Sequence, residues 1–208
     1  MVFDWDGTLV DSAEPSFRCF VSMFRRFGID FTREMYESTY SPNWYHTFQR
    51  VGLPEERWPE ADRLWIESFA CERPRLIDGA EETLARLKND GVRAALVTNG
   101  TRSRIDREIV ALGVDRYFDH VICGDDGLER KPHPAALQEC LRRIDVEPHE
   151  AAYVGDSAED MMMGHAAGVT CVGVRGPYPT HQTLAAADPH VIVDSIVDAI
   201  DALHYASR

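Results

Sequence analysis

The sequence predicts an α/β fold in which a parallel β-sheet has helices on both faces. Short apolar runs rich in β-branched residues alternate with stretches of helical periodicity along most of the chain. This alternation is typical of β-α-β units, whose strands form a parallel sheet. A segment near the N-terminus contains helical patterns only. We therefore expect a Rossmann-like core at residues 1–12 and 76–208, with an inserted helical domain at residues 13–75.

The core elements follow one another in a regular order. The predicted strands are Met1–Asp4, Val92–Thr98, His120–Cys123, Ala152–Gly155, Thr170–Val174 and Val191–Val193. The predicted helices are Gly79–Asp90, Ser103–Leu112, Pro134–Ile144, Asp160–Ala167 and Ser195–Leu203. In folds of this kind ligands bind beyond the carboxyl ends of the strands, so polar residues there are the candidates for function.

The inserted segment, from Ala13 to Arg75, contains no predicted strand. Its first helix is expected at Pro15–Phe27, where apolar residues recur at three-to-four spacing. Proline and glycine residues separate this helix from the ones that follow. The further helices are predicted at Thr32–Thr39, Trp44–Val51 and Pro59–Cys71.

Composition excludes several classes of protein. The chain has 208 residues and a formal net charge of −13, which disfavours a nucleic-acid binder and a protein that binds anionic membranes. No apolar run approaches the roughly 18 residues of a membrane-spanning helix, and the N-terminus has no signal-peptide pattern. The five cysteines show no C-x-x-C spacing. We expect a cytoplasmic protein with reduced thiols.

Two aspartates leave the first predicted strand. Asp4 and Asp6 lie two residues apart and are followed by Gly7, so in an extended chain both side chains point to the same side. Clustered carboxylates usually hold a hard cation such as Mg²⁺. The alternative is a polar turn that closes the strand.

A second acidic pair follows the predicted strand at Ala152–Gly155. Asp156 and Asp160 are separated by about one helical turn, so both side chains can face one point. The alternative is that Asp156 or Ser157 caps the following helix. Capping and metal binding are compatible roles.

Two further stretches contribute groups suited to an anion. Thr98, Asn99 and Gly100 follow a buried strand, and a hydroxyl with exposed backbone N–H groups at such a turn can hold phosphate. Lys131 lies in a proline-stiffened loop, where it can offset carboxylate and phosphate charge. The alternatives are ordinary turn chemistry and a surface lysine.

Taken together and in order, these stretches resemble the haloacid dehalogenase superfamily of phosphatases. That family has D-x-D-G-T/V at its first strand, then Thr or Ser, then Lys, then G-D-x-x-x-D. The chain has the residues Asp4 to Thr8, Thr98, Lys131 and Gly155 to Asp160 in this order. The helical insertion matches the family's cap. The loop around Lys131 and the position of the cap look most like the phosphoglycolate phosphatase-like branch.

The resemblance implies a role for each of these residues. Asp4 would be the nucleophile that forms an aspartyl-phosphate, and Asp6 would be the general acid and base. The phosphoryl group would be bound by Thr98, Asn99, Gly100 and Lys131. The metal ion would be Mg²⁺, bound by Asp4, by the backbone carbonyl of Asp6 and by Asp156, with Asp160 assisting through water.

The implied function is Mg²⁺-dependent hydrolysis of a small phosphorylated metabolite by a monomer or homodimer. An acid at position 6 indicates phosphate esters or anhydrides, because family dehalogenases lack it. A sugar phosphomutase would use the same residues. A phospho-receiver or other non-catalytic binding domain is a third hypothesis, although a receiver would have neither D-x-D nor an inserted helical bundle.

The substrate would be selected by the cap. Its candidate contacts are the loop at residues 41–46, which includes Trp44 and Tyr45, and the arginines Arg18, Arg25, Arg26 and Arg50. The alternatives are that the two aromatic residues pack within the insertion and that the arginines are solvated surface charges.

Overall fold

The structure, a computed structural model, describes the backbone of residues 1–206 and the side chains of residues 1–203. Its strands are β1 (Val2–Phe3), β2 (Val10–Asp11), β3 (Arg75–Leu76), β4 (Ala95–Val97), β5 (His120–Ile122), β6 (Ala152–Gly155), β7 (Thr170–Val174) and β8 (Val191–Val193). Its α-helices are α1 (Ala13–Arg25), α2 (Arg33–Thr39), α3 (Trp44–Arg50), α4 (Trp58–Phe69), α5 (Ala80–Asn89), α6 (Arg102–Ala111), α7 (Ala135–Ile144), α8 (Ala158–Ala167), α9 (His181–Ala186) and α10 (Asp198–Ala206). Short 3-10 turns lie at Glu55–Arg57, Asp115–Tyr117 and Pro148–Glu150.

Among residues 1–206, the main sheet has six strands in the order β5-β4-β1-β6-β7-β8. Every neighbouring pair in this sheet is parallel. The first strand of the chain therefore lies in the interior of the sheet, between β4 and β6. This arrangement confirms the predicted Rossmann-like α/β fold.

The two faces of the sheet pack against different helices. On one face Phe3, Leu96 and Val154 join apolar residues of α5, α6 and α10. On the other face Val2 and Tyr153 join residues of α7 and α8. Side chains alternate between the faces along each strand, so even the two-residue β1 contributes to both cores.

Some predicted boundaries and elements differ from the structure. The strand predicted at Val92–Thr98 is confined to β4, because the Val92 N–H donates to Leu87 O and closes the end of α5. The prediction that the segment through Arg75 contains no strand is wrong, since Arg75 begins β3. Strands β2 and β3 form a separate antiparallel pair, and α9 was not predicted.

The chain divides into two compact units. One contains Met1–Asp11 and the chain from Arg75 onward, and the other contains Ser12–Pro74. Each junction lies one residue before the predicted boundary. That the second unit serves as a cap stays a prediction.

The inserted unit is built on aromatic packing. In α1, Phe20 and Phe24 lie on one buried face, and Phe20 contacts Trp65 of α4 with ring centroids 5.8 Å apart. Phe24 contacts Phe48 of α3 at 5.8 Å. Burial of such rings contributes about 1.5–3 kcal/mol per side chain, which explains how short helices form a stable bundle. No helix in the described part of the chain has the length and apolarity needed to cross a membrane.

Candidate active site

The predicted functional residues follow three adjacent parallel strands. Asp4 directly follows β1, and its N–H donates to Val154 O of β6 at 2.9 Å. Asp156 directly follows β6. Thr98 directly follows β4, and its N–H donates to Ile122 O at 3.0 Å. Because the strands are parallel neighbours, their carboxyl ends bring these residues to one edge of the sheet.

Lys131 joins two of the buried carboxylates. Its Nζ is 2.6 Å from Asp4 Oδ1 and 2.7 Å from Asp160 Oδ1. The lysine side chain is 5% exposed, which excludes the alternative of a surface lysine. Although burial opposes the charged form, the Asp160 and Asp4 carboxylates raise the pKa of Lys131 above its ordinary value. The ammonium is therefore held in its charged form beside Asp4.

Asp160 is held in place from several directions. Ser157 donates to Asp160 Oδ2 from its N–H at 3.1 Å and from its hydroxyl at 2.7 Å, and the same hydroxyl accepts the Asp160 N–H. This reciprocal capping box begins α8. The hydroxyl of Tyr153 lies 3.3 Å from Asp160 Oδ1. Both oxygens of Asp160 thus have protein partners, and Ser157 is the N-cap.

Asp156 is buried, and one of its carboxylate oxygens has no hydrogen-bond partner among the described residues. It is 3% exposed, and its Oδ2 lacks a hydrogen bond. Burial and the charges of Asp160 and Asp4 raise the pKa of Asp156 well above its ordinary value. Gly7, with φ of 86°, allows the chain to pass close to this carboxylate, because a Cβ at position 7 would overlap it.

The carboxylates together fit a metal ion. One oxygen each from Asp4, Asp156 and Asp160 lies within 4.8 Å of the other two. Burial, only partly offset by the Lys131 ammonium and reinforced by the Asp160 charge, raises the pKa of Asp4 to about 7. Three buried carboxylates and one ammonium leave excess negative charge, and oxygen ligands of this kind suit a hard divalent cation.

The turn after β4 lies close to Lys131. Asn99 Oδ1 accepts the backbone N–H of Lys131 at 3.1 Å, so this side chain fixes the lysine loop. The Gly100 N–H donates to Thr98 Oγ1 at 3.1 Å. Thr98 is 4% exposed. The structure therefore connects the two predicted anion-binding stretches through hydrogen bonds.

Asp6 has a partner that sequence reasoning missed. The two guanidinium nitrogens of Arg104 lie 3.0 and 2.5 Å from the two Asp6 carboxylate oxygens. Glu108, one turn further along α6, accepts from Arg104 Nη1 at 3.3 Å and from Trp5 Nε1 at 2.8 Å. Although burial opposes it, the Asp6 and Glu108 charges raise the pKa of Arg104. The only sequence signal for the Arg104–Glu108 pair is an R-x-x-x-E spacing, which many exposed helices share.

His165, Cys171 and His190 form another close group in the described part of the chain. The Cys171 N–H donates to His190 Nδ1 at 3.0 Å, so a neutral His190 ring carries its proton on Nε2 and has no free lone pair. His165 Nε2 lies 2.9 Å from Asp188 O. These residues are engaged with the backbone and connect α8 to β7 and to the segment before β8.

Several of the candidate substrate residues have partners within the inserted unit. Trp44 packs on Trp65 with ring centroids 4.4 Å apart, and Tyr45 stacks on Trp58 at 5.3 Å. Arg18 pairs with Glu72. For the two aromatic residues, this favours the alternative of packing within the insertion.

Comparison with known proteins identifies relatives over the whole chain. Residues 1–174 match the family described as haloacid dehalogenase-like hydrolase. Phosphoglycolate phosphatase 1 of Pseudomonas aeruginosa is 30% identical, over 100% of this chain and 80% of the relative.

Solved structures have the same architecture. A predicted phosphoglycolate phosphatase from Haemophilus somnus has a TM-score of 0.85 and 26% identity, covering 97% of this chain and 96% of the other. CbbY from Rhodobacter sphaeroides, solved in complex with phosphate, has a TM-score of 0.75 and 27% identity, covering 95% and 94% of the two chains.

Proposed function

Because the chain belongs to the haloacid dehalogenase-like hydrolases and is a phosphatase of that family, we propose that it hydrolyses a small phosphomonoester through an aspartyl-phosphate at Asp4. The observation that carries the proposal is the Asp4–Lys131–Asp160 arrangement beside the unpartnered Asp156 oxygen. A relative named for phosphoglycolate supports a small carboxylated phosphoester as substrate.

In the first step Asp4 attacks phosphorus and the bond from phosphorus to the leaving oxygen breaks. The electron pair of that bond passes to the leaving oxygen, which takes a proton from Asp6. In the second step Asp6 removes a proton from water, and the water oxygen attacks phosphorus. The bond from phosphorus to the Asp4 oxygen breaks, its electron pair returns to the Asp4 carboxylate, and phosphate is released. The 2.6 Å contact with Lys131 supports Asp4 as the nucleophile, because the ammonium offsets charge repulsion as the carboxylate approaches phosphate.

The remaining residues bind and orient the phosphoryl group. Thr98 and the backbone of Asn99 and Gly100 would hold its oxygens together with Lys131. Mg²⁺ would be held by Asp4, Asp156 and the backbone carbonyl of Asp6. When bound, it would supply positive charge that draws the phosphoryl group toward Asp4. Asp160 would assist through water, and its hydrogen bonds with Lys131 and Ser157 hold it in place.

The first experiment measures phosphate release from p-nitrophenyl phosphate and from a panel of phosphorylated metabolites, with Mg²⁺ or with EDTA. We expect activity only with Mg²⁺, and a reduction of at least about 1,000-fold in Asp4→Asn. Asp90→Asn is the matched control, since Asp90 is an exposed carboxylate at the end of α5. Activity that survives Asp4→Asn, or that EDTA does not affect, would contradict the proposed mechanism.

A second measurement tests the covalent intermediate and the mutase alternative. Rapid acid quenching followed by mass spectrometry should detect a phosphorylated N-terminal peptide in the wild type and none in Asp4→Asn. A sugar phosphomutase would instead require a bisphosphate activator and return the phosphoryl group to sugar. Steady phosphate release without an activator excludes that alternative.

A further inference from the structure

The Asp6 carboxylate is held by a fork of two ion-paired hydrogen bonds. Arg104 Nη1 lies 3.0 Å from Asp6 Oδ1, and Nη2 lies 2.5 Å from Oδ2. The side chains of Arg104 and Asp6 are 16% and 27% exposed. A bidentate guanidinium–carboxylate pair constrains orientation more strongly than a single contact, and partial burial protects it from solvent screening.

The Arg104 guanidinium is itself held in place by Glu108. Glu108 is 5% exposed and accepts a hydrogen bond from Arg104 at 3.3 Å and another from the indole of Trp5 at 2.8 Å. Trp5 is fully buried and is the chain neighbour of Asp6. A closed ring therefore runs through Asp6, Arg104, Glu108 and Trp5. Three of its links are noncovalent contacts, and the fourth is the peptide bond between Trp5 and Asp6.

The Arg104 guanidinium also lies close to the turn after β4. A Cβ at Gly100 would overlap the Arg104 guanidinium and the Ile105 side chain, so glycine leaves the space that the guanidinium occupies. Arg104 thus lies between Asp6 and the turn proposed to hold the phosphoryl group. Arg107, on the same helix, is 46% exposed and has an ion-pair contact with Glu108 at 3.8 Å.

We propose that Arg104 is a positioning residue for Asp6, which orients the carboxyl group toward the leaving oxygen during phosphoryl transfer. This inference rests on the proposed role of Asp6 as the general acid. Arg104 forms and breaks no bond in the reaction. Asp6 transfers its proton to the leaving oxygen as the bond to phosphorus breaks, and Arg104 limits the orientations that the carboxyl group can adopt.

Proton donation matters most when the leaving group is basic, because a weakly basic oxygen departs without a proton. A change in the orientation of Asp6 should therefore slow the hydrolysis of substrates with basic leaving groups. It should have little effect on the hydrolysis of substrates with weakly basic leaving groups. The parameter to measure is kcat/KM, since it covers the steps through departure of the leaving group and excludes hydrolysis of the aspartyl-phosphate.

The test is the hydrolysis of ring-substituted phenyl phosphates, from p-nitrophenyl to p-methoxyphenyl, by wild type, Arg104→Met and the control Arg107→Met. For Arg104→Met we expect kcat/KM to fall about 10-fold or more with p-methoxyphenyl phosphate but less than about 3-fold with p-nitrophenyl phosphate. Arg107→Met should match the wild type across the series. An equal loss for all substrates, or no loss, would overturn the proposal.

Two further variants separate the possible causes of a result. Asp6→Asn should show the same dependence on the leaving group with larger losses, and if it does not, the general-acid role of Asp6 fails rather than the role of Arg104. Glu108→Gln leaves Arg104 in place while weakening its anchor, so it should give a smaller loss of the same kind. If Asp6→Asn shows the dependence but Arg104→Met lacks it, the positioning role is wrong.

Discussion

At the scale of single residues, the site combines more buried negative charge than the protein neutralises. Lys131 contacts Asp4 and Asp160, but one oxygen of Asp156 has no hydrogen-bond partner in the part of the chain that the structure describes. Burying a carboxylate without a partner is costly, and its raised pKa is the sign of that cost. The folded protein therefore favours either proton uptake or cation binding at this point.

The first prediction concerns the pH dependence of stability without metal. The pKa of Asp4 is raised to about 7 and that of Asp156 is raised in the same direction, so the folded state binds more protons than the unfolded state above the ordinary aspartate pKa. The free energy of unfolding in EDTA should therefore fall as the pH rises from about 4 to about 7. Urea denaturation at several pH values measures this.

Asp156→Asn removes one of these titrating groups, so the free energy of unfolding should depend less steeply on pH in this variant. Added Mg²⁺ should stabilise the wild type more near pH 7 than near pH 5, because protons compete with the cation for the carboxylates. Asp90→Asn again serves as the exposed control. A curve for Asp156→Asn as steep as that of the wild type would contradict this assignment.

The predictability of the site differs between residues. Asp4, Thr98 and Asp156 could be predicted because each directly follows an apolar strand, and parallel strands bring such positions together. Arg104 could not, because an arginine followed four positions later by glutamate usually forms a surface pair. Its partner Asp6 is 98 positions away in the chain, so only the folded structure reveals the contact.

At the scale of elements, the N-terminus of α8 links helix formation to the site. Ser157 caps the helix and donates to Asp160, while Asp160 also accepts from Lys131. The same carboxylate thus takes part in the capping box that begins α8 and orients the ammonium beside Asp4. Helix stability and site geometry are coupled at this residue.

The second prediction follows from that coupling. Ser157→Ala should lower the free energy of unfolding by about 1–2 kcal/mol, because it removes a buried N-cap. It should also raise the Mg²⁺ concentration needed for half-maximal activity, since Asp160 loses a donor that holds it. Chemical denaturation and metal titration of activity are the measurements.

Thr32→Ala is the matched control, because Thr32 caps α2 by accepting the Met35 N–H at 3.2 Å. It should cost about 1 kcal/mol of stability without changing the metal requirement. A change in metal requirement of the same size in both variants would show that general destabilisation, rather than the position of Asp160, is responsible.

Strands could be predicted from the sequence where their apolar run is long enough to be recognised. β6, β7 and β8 match the predicted strands, since each is a bounded apolar run. β2 and β3 have two residues each and no alternation to detect. The start of α8 was predicted at Asp160 but lies at Ala158, because the capping serine rather than the acidic residue ends the turn.

At the scale of the whole molecule, β2 and β3 determine where the inserted unit joins the core. Val10 pairs with Leu76 and Asp11 pairs with Arg75 in antiparallel register. The two chain ends that enter and leave the insertion are therefore side by side, as in a hairpin. The compact units divide one residue before each boundary that helix-only periodicity predicts.

The third prediction is that the core folds without residues 12–74. A two-residue Asn-Gly turn suits the antiparallel partners Asp11 and Arg75, because it closes hairpins of this kind. The shortened chain should unfold cooperatively in circular dichroism and gain stability from Mg²⁺. Adding Phe3→Asp, which places a charge at a fully buried position of β1, should abolish folding. A shortened chain without cooperative unfolding would contradict the prediction.

The position of β1 also has a consequence for biosynthesis. Val2 pairs with Ala95 on one side and with Tyr153 on the other, so the first strand leaves the ribosome long before either neighbour exists. The helices of the insertion depend on nearer contacts and are complete earlier. We expect the insertion to fold first on the nascent chain. Asp4 and Asp156 meet only after most of the protein has been translated, so incomplete chains lack the carboxylate cluster.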